Sequence, residues 1–294
     1  MKKGFWKRAG WTGMTIVPLI VSLVAQIMIG VVVVLAAEFA VGFSGALSGM
    51  DMETIEQQAI DAAMGSVTIA LLAYHVLALI GFGIWYYFGC GRPKPQKTGE
   101  FFSVRVSLIT IVIGVLMSVS ANGFLCAAEY FLPDLINQYE ELMESVGLGV
   151  DPLVIFVSVV IAPVGEELLC RGLIFHYAGK VVEDMKNRRA AFWIANTLQA
   201  LMFGIMHGNL VQGFYAFVMG LGLGWLRRRY NSLYPSMLAH LAVNFSSTFI
   251  LEYLFAPIPG TLPVCLLIMA VGIVGIVSLI IMENRRLAGQ GALL

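Results

Sequence analysis

The sequence predicts an all-α fold, a polytopic transmembrane helical bundle of about eight spans with both termini cytoplasmic. Three observations carry this. The 294 residues are 59% hydrophobic and 12% charged, with a mean hydropathy of +0.85, whereas soluble domains hold about 25% charged residues. Apolar runs close to the roughly 20 residues that cross a bilayer recur along the chain. The basic residues fall between those runs on alternate sides.

The first run, Met14 to Ala37, follows a basic start at Lys2, Lys3, Lys7 and Arg8. It exceeds the roughly 7 to 15 apolar residues of a signal peptide and offers no small-residue cleavage site, so it reads as a retained first helix. The remaining runs are Val67 to Phe88, Val104 to Phe124, Leu153 to Ala178, Ala190 to His207, Leu210 to Leu226, Leu233 to Leu254 and Leu262 to Met282.

With the N-terminus inside, the cytoplasmic segments hold Arg92, Lys94, Lys97 and Arg105, then Lys180, Lys186, Arg188 and Arg189, then Arg227, Arg228 and Arg229, and finally Arg285 and Arg286. The exterior loops hold no Lys or Arg. This is the positive-inside pattern of a multi-pass protein of the cell membrane. The exterior loops are acidic, with Asp51, Glu53, Glu56 and Asp61 in one and Asp134, Glu140, Glu141, Glu144 and Asp151 in the next, and read as solvated faces.

The organisation divides into a front and a chemical back. Residues 1–150 supply three helices and two long exterior loops without a recognisable motif; 151–285 form a compact five-helix core; 286–294 form a cytoplasmic tail. Arg92-Pro93-Lys94-Pro95-Gln96-Lys97 reads as an extended basic connector near the headgroups. Gly204 with Gly208, and Gly220 with Gly224, have the small-xxx-small spacing that lets helices approach closely in lipid. Cys90, Cys126, Cys170 and Cys265 are scattered without a Cys-x-x-Cys pair, so neither disulfides nor a zinc cluster is expected.

Function is read from polar residues inside the apolar runs. A charge at mid-span costs roughly 2.5 to 3.5 kcal/mol on insertion scales, so such groups should face one another. Glu167 and Arg171 lie four apart with the acid first, the favourable order for an ion pair on one helical face. Glu166 points about 100° away on the same helix. Without such a partner it is the candidate general base. Phe203 and His207 lie four apart in the fifth run, and His240 and Asn244 in the seventh; an imidazole and an amide on one face can donate to one oxyanion. His75 and His176 read as buried structural histidines.

These residues form three motifs in order. Glu166-Glu167-Leu168-Leu169-Cys170-Arg171 fits Glu-Glu-x-x-x-Arg, Phe203-Gly204-Ile205-Met206-His207 fits Phe-x-x-x-His, and His240-Leu241-Ala242-Val243-Asn244 fits His-x-x-x-Asn. Together they resemble the CAAX prenyl protease and bacteriocin-processing (CPBP, or Abi) family of intramembrane proteases, over roughly 151–250. The resemblance implies peptide-bond hydrolysis. Glu166 with His207 would activate water, His240 and Asn244 would stabilise the oxyanion, and Glu167, Arg171 and Phe203 would support the site. The partners it implies are a peptide or protein substrate in or at the membrane, prenylated peptides and leader peptides among the candidates, and the lipid bilayer; no nucleic acid is expected.

No cofactor is required by this reading. A zinc ion on Glu166, His207 and His240 is the alternative, although the compact His-Glu-x-x-His arrangement is absent. Other chemistries are weaker. Gly42-Phe43-Ser44-Gly45 spells a rhomboid-like Gly-x-Ser-Gly but falls where the first run ends in an exterior loop, and the eight runs contain no aspartate for an aspartyl protease. Cys170 is more ordinary as a small buried hydrophobe than as a nucleophile. A non-proteolytic immunity or scaffold protein of the same family, and a proton-coupled transporter, remain alternatives; the latter lacks an inverted repeat.

Depth arithmetic opposes a simple convergence. Counted from the cytoplasmic ends at about 1.5 Å per residue, Glu166 lies roughly 21 Å deep and His207 roughly 25 Å, but His240 only about 10 Å and Asn244 about 16 Å. Unless the run boundaries shift, Asn231 to Pro235 is expected to dip into the membrane so that the seventh helix starts late, with Pro235 in its first turn.

Overall fold

The computed structural model describes residues 2–90, 102–145 and 151–288, and all regular structure among them is helical. The basic connector at 92–97 and the last six residues of the expected tail lie outside the described residues. The eight apolar runs are helical, apart from Met206 and His207 at the end of the fifth: α1 (Lys2–Leu47), α3 (Val67–Gly89), α4 (Val104–Phe131), the stretch Pro152–Val181, α9 (Arg188–Ile205), α10 (Leu210–Tyr230), α11 (Leu233–Ser246) continued by a π segment Ser247–Leu251 and α12 (Glu252–Phe255), and α13 (Leu262–Ala288). Five stretches are long and apolar enough to cross a membrane by length and composition: Trp6–Leu47, Met52–Gly89, Val104–Phe131, Pro152–Val181 and Leu262–Arg286. Helices α9, α10 and α11 are shorter or carry more polar residues. They pack with that frame to complete a multi-pass helical bundle.

The acidic exterior segments are not simple loops. Helix α2 (Met52–Gly65) starts at Asp51, whose carboxylate accepts from the Thr54 N–H at 2.9 Å, and α5 (Pro133–Ser145) follows α4 almost directly. Neither contains a long apolar run. The Asp51 cap marks α2, and an amphipathic face marks α5, with Ile136 buried and Leu135, Tyr139 and Met143 half-buried.

Close packing is bought with missing side chains. On α4, an added Cβ at Gly114 would collide with the Ala239 carbonyl of α11, and one at Gly123 with the α13 backbone around Met269. On α9 and α10, Gly204 and Gly213 each sit against the other's carbonyl. Helix α1 lies along α3 and the end of Pro152–Val181. Ser22 shares a 2.6 Å hydrogen bond with Tyr74, Trp11 stacks on Tyr177 with ring centroids 6.0 Å apart, and Lys7 reaches Glu183 at 2.7 Å.

Two further features tie the bundle. Cys126 on α4 and Cys265 on α13 form a disulfide across 139 residues, which corrects the expectation of no disulfide. Only the packing of α4 on α13 brings them together, and spacing in sequence carries no trace of it. At the other end of the same helices the fully buried Glu283 accepts from Arg105 at 2.8 Å, Arg286 at 3.2 Å and the Tyr230 hydroxyl at 3.2 Å. The Glu283 carbonyl accepts from Arg229. One carboxylate thus clasps the ends of α4, α10 and α13.

Stretch Pro152–Val181 is the central element. In its most apolar part 50% of residues are buried inside the protein, against 11% for the corresponding parts of α1 and α13. It is also irregular: α6 (Pro152–Phe156), a π segment Val157–Ile161, α7 (Ala162–Glu167), a second π segment Leu168–Ile174, and α8 (Phe175–Val181).

Candidate active site

The site is built around α7, which is held between the two π segments. In the first, the Ala162 N–H bonds to the Val157 carbonyl, five residues back. In that register the Ser158 carbonyl would need the N–H of residue 163, which is Pro163 and has none. The orphan acceptor is satisfied from another helix: Asn244 Nδ2 of α11 donates to Ser158 O at 2.8 Å. In the second π segment the Phe175 N–H bonds to Cys170 O. Wide turns on both sides set where Glu166 and Glu167 face, and such bulges often occur at functional sites.

Glu167 is fully buried and anchored twice through one oxygen. Arg171 Nη1 donates to Glu167 Oε1 at 2.8 Å, and His240 Nδ1 donates to the same Oε1 at 3.0 Å. Arg171 is itself buried, its guanidinium carbon 4.2 Å from the centre of the Phe203 ring, a cation–π contact that is strongest when desolvated. Space for the guanidinium comes from α10: an added Cβ at Gly220 would lie 3.3 Å from Arg171 Nη2.

Glu166 has a different environment. Its side chain is 17% exposed where that of Glu167 is 0%, and its Oε2 lies 3.7 Å from His240 Nε2. That separation exceeds a direct hydrogen bond. The His240 ring therefore stands between the two carboxylates, bonded to one and close to the other.

Phe203 connects the second histidine. Its ring packs edge-on against His207 with centroids 4.9 Å apart and edge-on against His240 at 5.5 Å. Helix α9 ends at Ile205, and Gly208 at φ +72° turns the chain into α10, a conformation suited to glycine. His207 sits in this turn, where its Nδ1 lies 2.7 Å from Phe203 O. A carbonyl only accepts, so Nδ1 carries the hydrogen; in the neutral ring Nε2 is then a bare acceptor.

The structure brings Glu166, Glu167, Arg171, Phe203 and His240 into one cluster, with His207 joined through Phe203 and Asn244 one turn beyond His240 on α11. Pro235 stands in the first turn of α11, as expected. Asn231, at φ 47°, ends α10, Ser232 caps α11 through the Tyr234 N–H, and α11 begins at Leu233. His240 reaches Glu167 at 3.0 Å nonetheless, so the assumption of straight spans counted from one common level does not describe this bundle. Sequence reasoning missed Ser158, whose carbonyl Asn244 holds. The available signal was Pro163, a proline inside an apolar run three residues before Glu166.

A metal would need donors that converge. Each histidine donates Nδ1–H to an oxygen, the supporting bond that metal-ligating histidines make. Among the described residues, however, no three His, Cys, Asp or Glu side chains are grouped closely enough to hold one ion. The donor set suits zinc in kind and not in spacing, so no chemical step is routed through a metal here.

Fold and site together define a multi-pass membrane protein whose titratable side chains converge inside a helical bundle. Residues 149–246 match the family model described as type II CAAX prenyl endopeptidase Rce1-like. The chain is also similar to a protein of Bacillus subtilis (strain 168) named "Putative membrane peptidase YdiL", at 25% identity over 157 residues, 52% of this chain and 61% of that protein. The chain thus covers about three fifths of the length of the curated relative it matches. No solved structure matches the chain.

Proposed function

We propose that the protein is an intramembrane endopeptidase that hydrolyses peptide bonds of membrane-associated peptides with water activated by Glu166 and His207. The observation that carries this reading is the unequal pair of carboxylates around His240: Glu167 is sealed and doubly bonded, while Glu166, next to it in sequence, is the more open one. Their separate environments divide the labour between anchor and base. The family model matched by residues 149–246 and the name of the similar protein point the same way.

In this reading Glu166 accepts a proton from a water that also donates to His207 Nε2. The hydroxide adds to the scissile carbonyl carbon, and the resulting oxyanion is met by N–H donors of His240 and Asn244. Glu166 returns its proton to the departing amine as the carbon–nitrogen bond breaks. For His240 to donate through Nε2 while Nδ1 is held by Glu167, the ring carries both protons in that step. Asn244 keeps one Nδ2 hydrogen for the oxyanion while the other holds Ser158 O.

Eight spans with both termini cytoplasmic belong to the same proposal. The Cys126–Cys265 disulfide supports this orientation, because it lies at helix ends that the positive-inside pattern puts outside, where disulfides persist. The test of function is comparative peptidomics of cells carrying the natural protein or Glu166→Ala at equal abundance. Peptides released only by the natural protein are expected; identical peptide sets overturn the reading.

A further inference from the structure

A cavity lies on the far side of Arg171 from Glu167, at the end of the bundle where α8, α9 and α10 carry their basic residues. It has a volume of about 510 Å³, and its lining includes Arg188, Arg227, Arg228 and His176 at the rim, with Phe175 and Phe192 on the walls and Arg171 at the inner side. We propose that this cavity binds a phosphate oxyanion, carried by an anionic phospholipid headgroup or by free phosphate.

The charge balance favours an anion. Glu183 is the acid that faces the cavity, and its carboxylate is already engaged by Lys7 at 2.7 Å and Lys180 at 3.4 Å. The guanidiniums are not neutralised in the same way. Arg188 Nη1 donates to the Glu183 backbone carbonyl, Arg227 Nη1 to the Asn231 side-chain amide, and Arg228 has no ion pair among the described residues. Arg227 Nε is buried without a hydrogen-bond partner, as are Nε and Nη2 of the fully buried Arg171. Buried donors lacking acceptors are the groups a multi-oxygen anion satisfies.

Phosphate fits better than a single carboxylate. Forked guanidinium donors from three chain positions match an anion with three or more acceptor oxygens. The aromatic walls and the exposed apolar Trp193 and Ile194 beside Phe192 give a lipid's glycerol and chains an adjoining surface. Basic pockets between helices at the cytoplasmic side are a known way of holding anionic headgroups. Binding here is independent of peptide hydrolysis and would stand if the peptidase reading failed.

The test uses the full chain purified in neutral detergent, with native mass spectrometry after addition of phosphatidylglycerol, phosphatidylcholine or inorganic phosphate. One phosphatidylglycerol per chain is expected to stay bound where phosphatidylcholine does not. Arg188→Gln with Arg227→Gln should weaken it about tenfold, the equivalent of one charge-assisted hydrogen bond. Arg228→Gln, at an exposed and unpaired position, should weaken it without touching the fold. Arg285→Gln, outside the cavity, should not. Competition by inorganic phosphate would identify the free ion as an equal source. Equal retention of both lipids with no binding of phosphate, or affinity unchanged in the cavity variants, overturns the proposal.

Discussion

His240 donates its Nδ1 hydrogen to Oε1 of Glu167 at 3.0 Å, the same oxygen that takes Arg171 at 2.8 Å. The seventh apolar run is thereby locked to the fourth through a carboxylate with no exposure, and the neighbouring Glu166 is left to a different task.

Two isosteric substitutions should therefore separate. Glu166→Gln is expected to abolish cleavage with little loss of stability, since its side chain is partly open. Glu167→Gln, or Arg171→Met, is expected to destabilise the protein by about 3 to 5 kcal/mol by leaving one buried charge without its partner. Cleavage assays beside thermal unfolding in detergent decide it. Equal stability losses for both glutamates would remove the division of roles.

Asn244 joins the chemistry to the backbone irregularity. Asn244→Ala strands the Ser158 carbonyl that Pro163 cannot serve, at a cost of about 1 to 3 kcal/mol, and in the proposed mechanism also lowers kcat by about 10² to 10³ by removing an oxyanion donor. Asn244→Asp keeps the size but offers no N–H. If kcat is unchanged in either variant while stability falls, Asn244 is a splint for the π segment only.

Much of this arrangement was legible in sequence and part was not. The eight apolar runs and the spacing of Glu167 with Arg171 follow from local periodicity, which the helix preserves. Helices α2 and α5 escape a hydropathy reading because the Asp51 cap of α2 and the buried Ile136 of α5, not a long apolar stretch, mark them. The contact of His240 with Glu167 is a tertiary one between helices 73 residues apart, and the π segments on either side of Glu166 leave only the faint mark of Pro163. Cys126 and Cys265 meet through helix packing across 139 residues of chain.

Glu283 is the fixed point at the opposite end of α4, α10 and α13. Glu283→Gln removes the charge that holds Arg105 and Arg286 while keeping the shape, and Arg105 is half exposed, so water softens the loss. A decrease of about 1 to 3 kcal/mol is expected, with cleavage retained. Unfolding curves in detergent measure it; loss of activity at full stability would instead tie this clasp to the site.

A metal requirement can be tested directly. With Glu166, His207 and His240 unable to close around one ion in the described arrangement, activity of the purified protein should survive excess chelator, and elemental analysis should find less than one zinc per chain. Loss of activity restored by added zinc would require the two histidines and Glu166 to close further than they do here.

Acid should loosen the start of the central stretch. The Leu153 N–H, with lesser help from Thr68 and the Val154 N–H, holds the Asp151 carboxyl below its ordinary value of 3.8. A group whose pKa is lower folded than unfolded contributes stability above the unfolded value and loses it as pH falls through the folded one. The start of Pro152–Val181 should therefore loosen as pH drops below about 3.8. Hydrogen exchange at Leu153 and Val154, compared with Asp151→Asn, reads the change; identical pH profiles for the two proteins would assign the acid response elsewhere.

The disulfide gives the orientation its own test. If Cys126 and Cys265 lie outside, intact cells treated with a membrane-impermeant reductant and then an impermeant maleimide should gain label at Cys126, the less buried of the pair, while Cys90 and Cys170 stay unlabelled. Cys90 is half-buried and Cys170 fully buried, so a cysteine placed at the exposed Arg228 serves as the cytoplasmic control. Label at that control with none at Cys126 or Cys265 would invert the topology and place the basic cavity outside. Label at Cys126, which the disulfide ties to Cys265, fixes the cavity and the basic helix ends on the cytoplasmic side, because Phe131 and Leu262 are then held at the outer face and each helix between must alternate from there.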